Sequence, residues 1–308
     1  MMPNETVIEK NSLLIWLKEM RLPFLAVSVM PVFLGSAIAR SAGARLNVLY
    51  LLMTLAGAVF VHLGANVIND YFDYLNGADA ANTEYVKGFT GGSRMIQDGL
   101  MSHREVLAEA ICLLVAGLAV IIFFVFHFGT LVLLGGLAAL LAAVAYSMFL
   151  GSYYVGELLV AACFGLLIPL GAFYVQTRSL TYMILLPSIV PSILVFLILF
   201  INEIPDCTAD KASGKQTLVV RMGRKSAAYM YCVISVLLYV YVIFLAANAK
   251  LPAILYLLLT LPLAVSSSLS LVKNYDNPEK LGFPIQATIV LYIINTLILT
   301  GAYTLKGG

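Results

Sequence analysis

The sequence predicts an all-α, polytopic membrane protein: nine transmembrane helices around a central cavity, built from two four-helix repeats plus one helix. Three observations predict it. Only 11% of the 308 residues are charged and 61% are hydrophobic, where an ordinary soluble domain carries about 25% charged residues. Mean hydropathy is +0.96. Nine apolar runs approach the roughly 20 residues that cross a bilayer as a helix, and two of them end in the same acidic pattern. So little charge cannot cover a water-exposed surface, so a soluble enzyme is excluded, and nothing points to nucleic acid or to an obligate protein partner.

The runs cover residues 22–39, 46–69, 106–126, 129–150, 158–177, 180–201, 226–249, 251–272 and 281–305, with Glu109 as the single charge inside the third. Ahead of the first lie Glu5, Glu9, Lys10, Lys18 and Glu19, with no short apolar core followed by a small-residue cleavage site. The N-terminus is therefore expected to stay. Residues 11–21, NSLLIWLKEMR, place Trp16 among leucines and charges, which suits an interfacial helix or an extension of the first span. The whole chain, 1–308, then forms one membrane domain, with an N-terminal segment at 1–21 and polar loops at 70–105 and 202–225.

Nine spans put thirteen of the eighteen Lys and Arg residues on the side of the N-terminus and of both acidic stretches. The positive-inside rule makes that side cytoplasmic and puts the C-terminus on the other, as in a cell inner or plasma membrane. The cysteines, Cys112, Cys163, Cys207 and Cys232, have no metal-ligand spacing and read as small apolar packing groups. His62 and His127 lie in or at the ends of spans, where a lone histidine is most often satisfied by a neighbouring backbone group.

The chemistry is concentrated in two stretches, NVINDYFDYLNGAD (66–79) and NEIPDCTADKASGK (202–215). The second span ends in Asn69-x-x-x-Asp73 and the sixth in Asn202-x-x-x-Asp206, four helices apart. Each pattern is followed by a further acid, Asp79 or Asp210, and then by a glycine-bearing basic stretch: Lys87 and Arg94 in one, Lys211, Lys215 and Arg221 in the other. Helical spacing puts Asn66, Asn69, Asp70 and Asp73 on one stripe, and Asn202, Asp206 and Asp210 on another. Carboxylates at membrane depth are costly and face a bundle interior, so the stripes are expected to confront each other across a shared cavity.

Five carboxylates in one cavity repel and need cations. All-oxygen ligation by Asp70, Asp73, Asp79, Asp206, Asp210 and the Asn69 amide points to Mg²⁺. The neighbouring bases imply an anionic phosphate ligand as well. A diphosphate between two acid-bound Mg²⁺ ions accounts for both signs of charge. Arg104, Arg224 and Lys225 read instead as ordinary basic residues obeying the positive-inside rule.

At these residues the chain resembles the UbiA superfamily of intramembrane aromatic prenyltransferases, in the branch that includes 1,4-dihydroxy-2-naphthoate polyprenyltransferases. The family motifs, Asn-x-x-x-Asp after helix two and Asp-x-x-x-Asp after helix six, look like Asn69/Asp73 and Asp206/Asp210. The segments GGSRMIQDGLMS, AYSMFLGSYYVGE and GAFYVQT are similar too. One departure is that the acid commonly found four residues after Asp73 is Gly77 here, so that Asp70 or Asp79 would complete the first metal site.

The resemblance implies Mg²⁺-dependent transfer of a polyprenyl group from its diphosphate to an aromatic acceptor. The expected acceptor is 1,4-dihydroxy-2-naphthoate, with loss of CO₂, in lipid-quinone (menaquinone) synthesis; 4-hydroxybenzoate is the alternative. Asp73, Asp206, Asp210, Arg94 and Lys211 are the expected catalytic groups. Asn66, Asn69, Lys87, Arg94, Asn202, Lys215, Arg221, Tyr146 and Tyr153 are expected to bind substrate, and Glu157 and Gln176 to orient the acceptor. Tyr71, Tyr74, Tyr146, Tyr153 and Tyr154 could stabilise an allylic cation through their ring faces. Two rival classes fit less well: a secondary transporter, whose acids usually sit mid-helix, and a phosphatidyl-alcohol transferase, whose acids form one compact run.

Overall fold

The computed structural model describes residues 13–149, 151 and 153–307. The first twelve residues of the N-terminal segment, with Glu5, Glu9 and Lys10, lie outside the described residues, as do Leu150, Ser152 and Gly308. Backbone amides have no water to bond in lipid, so helices are the natural solution for apolar runs. Among the described residues nine helices are long and apolar enough to cross a membrane: Leu22–Ser41, Val48–Asn76, His103–Phe128, Thr130–Met148, Gly156–Thr177, Tyr182–Ala212, Leu218–Ala249, Pro252–Asn274 and Pro278–Lys306. They are spans one to nine below.

Local chemistry sets the ends. The Asn47 side chain accepts the Tyr50 amide at the start of span two, Thr217 accepts Val220 at the start of span seven, and Ser102 with Glu105 forms a reciprocal capping box on span three. Arg178 and Lys250 close spans five and seven in the left-handed conformation. Spans two and six run further than their apolar stretches, to Asn76 and Ala212. Most of both acidic stretches is therefore helical, and the true loops are 82–102 and 213–217.

The short helix Leu13–Glu19 is separate from span one. Ile15 packs with Leu63, Val67, Met95, Met101 and Val106, while Leu13 and Leu14 face outward. The expected interfacial segment is thus seated on spans two and three, and Arg21, in the left-handed region at φ 54°, turns the chain into span one.

Spans seven to nine form a block tied by buried polar groups. Tyr231 bonds to Thr288 (2.6 Å) and Ser267 (3.2 Å), and Asn295 donates to Thr260 (3.0 Å), which meets Tyr239 (2.8 Å). This block backs spans one and six, and Tyr292 donates to the Val27 carbonyl at 3.0 Å. The central cavity lies on the other side and is lined by spans one to six. Span four is the least buried of the nine, because one face lines the cavity while little covers the other.

Span five is interrupted by a π-helical turn, Cys163–Leu167. Gly165 lies within it because span six crosses there: a Cβ at Gly165 would stand 2.2 Å from Ser192 Cα. Gly165→Ala is expected to force the two spans apart, costing about 1–3 kcal/mol, and to lower the thermal-unfolding midpoint of the detergent-solubilised protein. Gly301→Ala, where a Cβ meets nothing within 4 Å, is expected to leave the midpoint unchanged or slightly raised.

Candidate active site

The cavity has a volume of 490 Å³ and runs along span two from Asn69 to Thr54, about 22 Å of helix at 1.5 Å per residue. Its walls are mainly apolar, including Val120, Phe124, Leu131 and Phe164, with Thr54, His62 and Tyr174 among them; the other polar side chains gather at one mouth: Arg21, Asn66, Asn69, Tyr146 and Asn202. An apolar tube with one polar mouth suits a molecule with a long hydrocarbon tail and a polar head.

Beyond the mouth the ends of spans two and six meet through one ammonium. Lys215 Nζ lies 3.0 Å from Asp73 Oδ1 and 3.4 Å from Asp210 Oδ1. Burial works against the charge on Lys215, but Asp73 and Asp210 outweigh it and hold its pKa above the usual lysine range. Asn69 Nδ2 donates to the other Asp73 oxygen at 2.9 Å, which fixes the carboxylate.

The remaining acids fold the first loop over the mouth. Asp206 accepts from Asn82 Nδ2 and Thr90 Oγ1, both at 2.8 Å, so span six holds the loop that follows span two. Asp70 accepts the Ser93 amide at 2.7 Å, and its other oxygen stands 3.9 Å from Arg21. Asp79 accepts from Gln97 at 3.1 Å. Between Asp70 and Asp79 passes Gly92, φ 73°, where a Cβ would come within 2.9 Å of Asp79 Oδ2 and 3.2 Å of Asp70 Oδ1. Only glycine lets the backbone pass so close to both carboxyls. Burial, then the charges of Asp70 and Asp73, push the Asp79 pKa up to about 8.

Several expected site residues lie elsewhere. Gln176 sits at the opposite end of the bundle, where its amide pairs with both backbone groups of Asn47 (2.8 and 3.1 Å). About 39 Å of span two separates Asn47 from Asp73. Lys211 is exposed and lines a surface cleft with Arg224, Lys225 and Asp276; Lys215, four residues on and past the helix end, takes the place beside the acids. Lys87 is exposed, and Arg221 is exposed with its guanidinium 4.3 Å from the Tyr154 ring centroid. Tyr153 makes a backbone bridge to Gln216. Glu157 caps span seven by accepting the Leu218 amide at 2.8 Å. Of the five tyrosines, Tyr146 alone lines the cavity; Tyr74 stacks on His103 and Tyr71 packs edge-on to Phe72. Arg94, φ 63°, donates to the Asp79 carbonyl (3.2 Å) and lies over Tyr85. His62 Nδ1 pairs with Ser28 and His127 Nδ1 with the Phe123 carbonyl, as ordinary packed histidines.

Sequence reasoning missed Glu19, Arg21, Asn82, Thr90 and Ser93. Charges flush against the first span, Glu19-x-Arg21, were the available signal, but Arg21 served only to orient the chain and Glu19 only to argue against a cleaved signal segment. Glu19 is fully buried and accepts the Ser93 hydroxyl. Burial, then the Asp70 charge, raises its pKa to about 9 against the hydrogen bond from Ser93.

The donor set is all oxygen, as a hard cation requires. Among the described residues no three acidic or imidazole side chains converge tightly enough to hold a metal unaided. The Lys215 ammonium already holds one cation position between Asp73 and Asp210, and Asp70 Oδ1 is buried without a hydrogen-bond partner. These residues fit Mg²⁺, which keeps few protein ligands and draws the rest from phosphate oxygens.

The fold is a helical membrane bundle enclosing a mainly apolar cavity, with an acid–lysine cluster beside the cavity's polar end. The chain belongs to the UbiA prenyltransferase family, whose model matches residues 28–305, and it is a prenyltransferase. It is 27% identical over 306 residues to a Haemophilus influenzae 1,4-dihydroxy-2-naphthoate octaprenyltransferase, covering 94% of this chain and 96% of that one. It is 26% identical to a Synechocystis 2-carboxy-1,4-naphthoquinone phytyltransferase, covering 95% and 94%. A UbiA homologue from Archaeoglobus fulgidus, solved with DMAPP and Mg²⁺, superposes with a TM-score of 0.62 at 16% identity, covering 93% of this chain and 99% of that one. Family membership sets the transporter reading aside.

Lys215→Met leaves Asp73 and Asp210 facing each other without a cation. In a metal-free buffer this variant is expected to lose about 3 kcal/mol of stability, read as a lower unfolding midpoint, with added Mg²⁺ recovering part of the loss. Glu19 predicts a pH dependence. Its folded pKa lies above the unfolded value, so its contribution is fully present below about pH 4.5 and is lost as pH rises toward 9. The wild-type midpoint should therefore fall between pH 5 and pH 9, and Glu19→Gln, isosteric with the protonated form, should flatten that decline.

Proposed function

We propose that this prenyltransferase moves a polyprenyl group from its diphosphate to 1,4-dihydroxy-2-naphthoate, with loss of CO₂, in a reaction that depends on Mg²⁺. The observation that carries the reading is the junction at Asn69: below it an apolar cavity sized for a prenyl tail, above it the Asp73–Lys215–Asp210 cluster. The naphthoate relatives and the structural neighbour bound to DMAPP and Mg²⁺ support acceptor, donor and metal in turn.

Asp73 and Asp210, with Asp206, Asp70 and Asp79, would hold Mg²⁺, two ions in all, together with oxygens of the diphosphate. When bound, the ions neutralise charge on the leaving diphosphate and so ease breakage of the allylic C–O bond. Lys215 and Arg21 supply further positive charge, and Arg94 braces Asp79 from the loop. Asn66, Asn69 and Asn202 line the mouth and orient the head group. The apolar walls exclude water, which would otherwise capture the allylic cation, and the Tyr146 ring offers it a π face. The basic residues around both acidic stretches put this mouth on the cytoplasmic side.

Asp73→Asn and Asp206→Asn are each expected to cut product formation by about a thousandfold, the equivalent of roughly 4 kcal/mol of barrier, while the protein still inserts in membranes. Product is measured by mass spectrometry with carboxyl-labelled 1,4-dihydroxy-2-naphthoate and a long prenyl diphosphate, with labelled CO₂ counted beside it. One CO₂ per prenylated product is expected. Product that keeps its carboxyl label would remove the decarboxylating route, turnover of 4-hydroxybenzoate alone would replace the acceptor, and near-wild-type turnover in either variant would remove the metal assignment.

A further inference from the structure

A second polar site lies between spans six, seven and eight, at the same ends of the helices as the mouth but sharing none of its lining residues. It is a surface cleft of 530 Å³ whose lining includes Thr208 and Lys211 from span six, Arg224 and Lys225 from span seven, and Tyr275 and Asp276 just past span eight. Span seven breaks at Gly223, at φ 79° and ψ 153°, a conformation open essentially to glycine alone. Just past the break Arg224 turns back on span six. Its Nε donates to the Ile204 carbonyl at 2.9 Å and its Nη2 to the Pro205 carbonyl at 2.9 Å and to Thr208 Oγ1 at 3.0 Å, with Glu84 as its acidic partner. Arg224 is thereby committed to holding the wall of the cleft together.

Lys211 and Lys225 are not so committed. Both are exposed and line the cleft, and among the described residues neither is in an ion pair. Asp276, the acid among the described lining residues, is itself exposed and stands 3.9 Å from Arg224. Two unpaired cations in one cleft repel, which an anion bound between them would relieve. The surface below the cleft indicates which anion. From Lys225, positions Tyr229, Val233 and Val236 continue one helical stripe into the membrane, and all three are exposed. Span eight packs alongside, with Cys232 Sγ 3.9 Å from the Ser268 carbonyl, and its Leu269 and Val265 are exposed too. A basic cleft between helices at the membrane boundary, with an aromatic ring at its edge and an apolar lipid-facing stripe beneath, fits a phospholipid, phosphate above and acyl chains below.

We propose that this cleft binds the phosphate of an anionic phospholipid between Lys211 and Lys225, with the acyl chains along the stripe formed by Tyr229, Val233 and Val236. Bound there, the lipid joins the end of span six to the start of span seven. These helices are connected by residues 213–217, so occupancy of the cleft steadies the loop from which Lys215 reaches Asp73 and Asp210.

The test uses the full-length protein, purified in dodecyl maltoside and freed of co-purified lipid, with the thermal-unfolding midpoint as the readout. Dioleoylphosphatidylglycerol, dioleoylphosphatidylcholine and inorganic phosphate are each titrated in. Phosphatidylglycerol is expected to raise the wild-type midpoint by about 3–5 °C, and phosphatidylcholine and inorganic phosphate by less than about 1 °C. The Lys211→Gln/Lys225→Gln double variant should lose most of that rise, and each single variant part of it, which keeps the test open if the double variant does not fold. Lys18→Gln/Arg104→Gln removes two exposed charges at the same ends of the helices but outside the cleft, and should keep the rise in full. No rise in the wild type, an equal rise with phosphatidylcholine, a rise kept by the double variant, or a rise lost in Lys18→Gln/Arg104→Gln would overturn the site. A rise with inorganic phosphate equal to that with phosphatidylglycerol would overturn the lipid as its ligand. No substrate is present, so the outcome does not depend on the prenyl-transfer reading.

Discussion

The Lys215 ammonium between Asp73 and Asp210 is the contact on which the rest of this molecule turns. Two helices that end in carboxylates near the membrane boundary cannot come together unless something offsets their repulsion. Lys215 does so from a loop only five residues long, which follows span six and leads into span seven. Because the ion pair joins the end of span two to the end of span six, it also decides where the cavity opens. The same positive charge stands beside the polar end of the cavity, one residue contact away from Asn69.

Around that contact, the first loop is held by the acids themselves. Asp206 binds Asn82 and Thr90, Asp70 binds the Ser93 amide, and Glu19 reaches the Ser93 hydroxyl from the N-terminal helix. Two arginines at the rim, Arg21 and Arg94, sit in the left-handed region that non-glycine residues seldom occupy. Such strain persists only where surrounding contacts over-determine it, and here Arg21 lines the cavity mouth while Arg94 holds the Asp79 carbonyl. The carboxyls of Asp206, Asp70 and Glu19 thus hold the first loop in place over the cavity's polar end.

The membrane-embedded part divides its labour. Spans seven to nine spend their buried hydroxyls and amides on one another and provide a rigid back. Spans one to six line a mainly apolar tube, with Arg21, Asn66, Asn69, Tyr146 and Asn202 at one end of it. Small residues permit the close crossings, as at Gly165 against Ser192.

By itself the sequence determined the nine spans, their all-helical character and the two acidic stretches, because the cost of exposing polar backbone or charge to lipid is local and leaves its mark in composition and spacing. Asn69, Asp73, Asp206 and Asp210 stood out for that reason, and the two span histidines read as packed groups, while the bonds of Arg224 to Glu84, Thr208 and the Ile204 carbonyl left no mark in the sequence. What tertiary structure decided was pairing. Lys215 and Lys211 look alike in sequence, and only the end of the helix between them sends one inward and the other to the surface. Gln176 and Glu157 look alike as polar residues on span five, yet 19 positions of helix, about 28 Å, put them at opposite ends of the bundle. Contacts between residues distant in the chain depend on how helices cross, and no local pattern encodes a crossing.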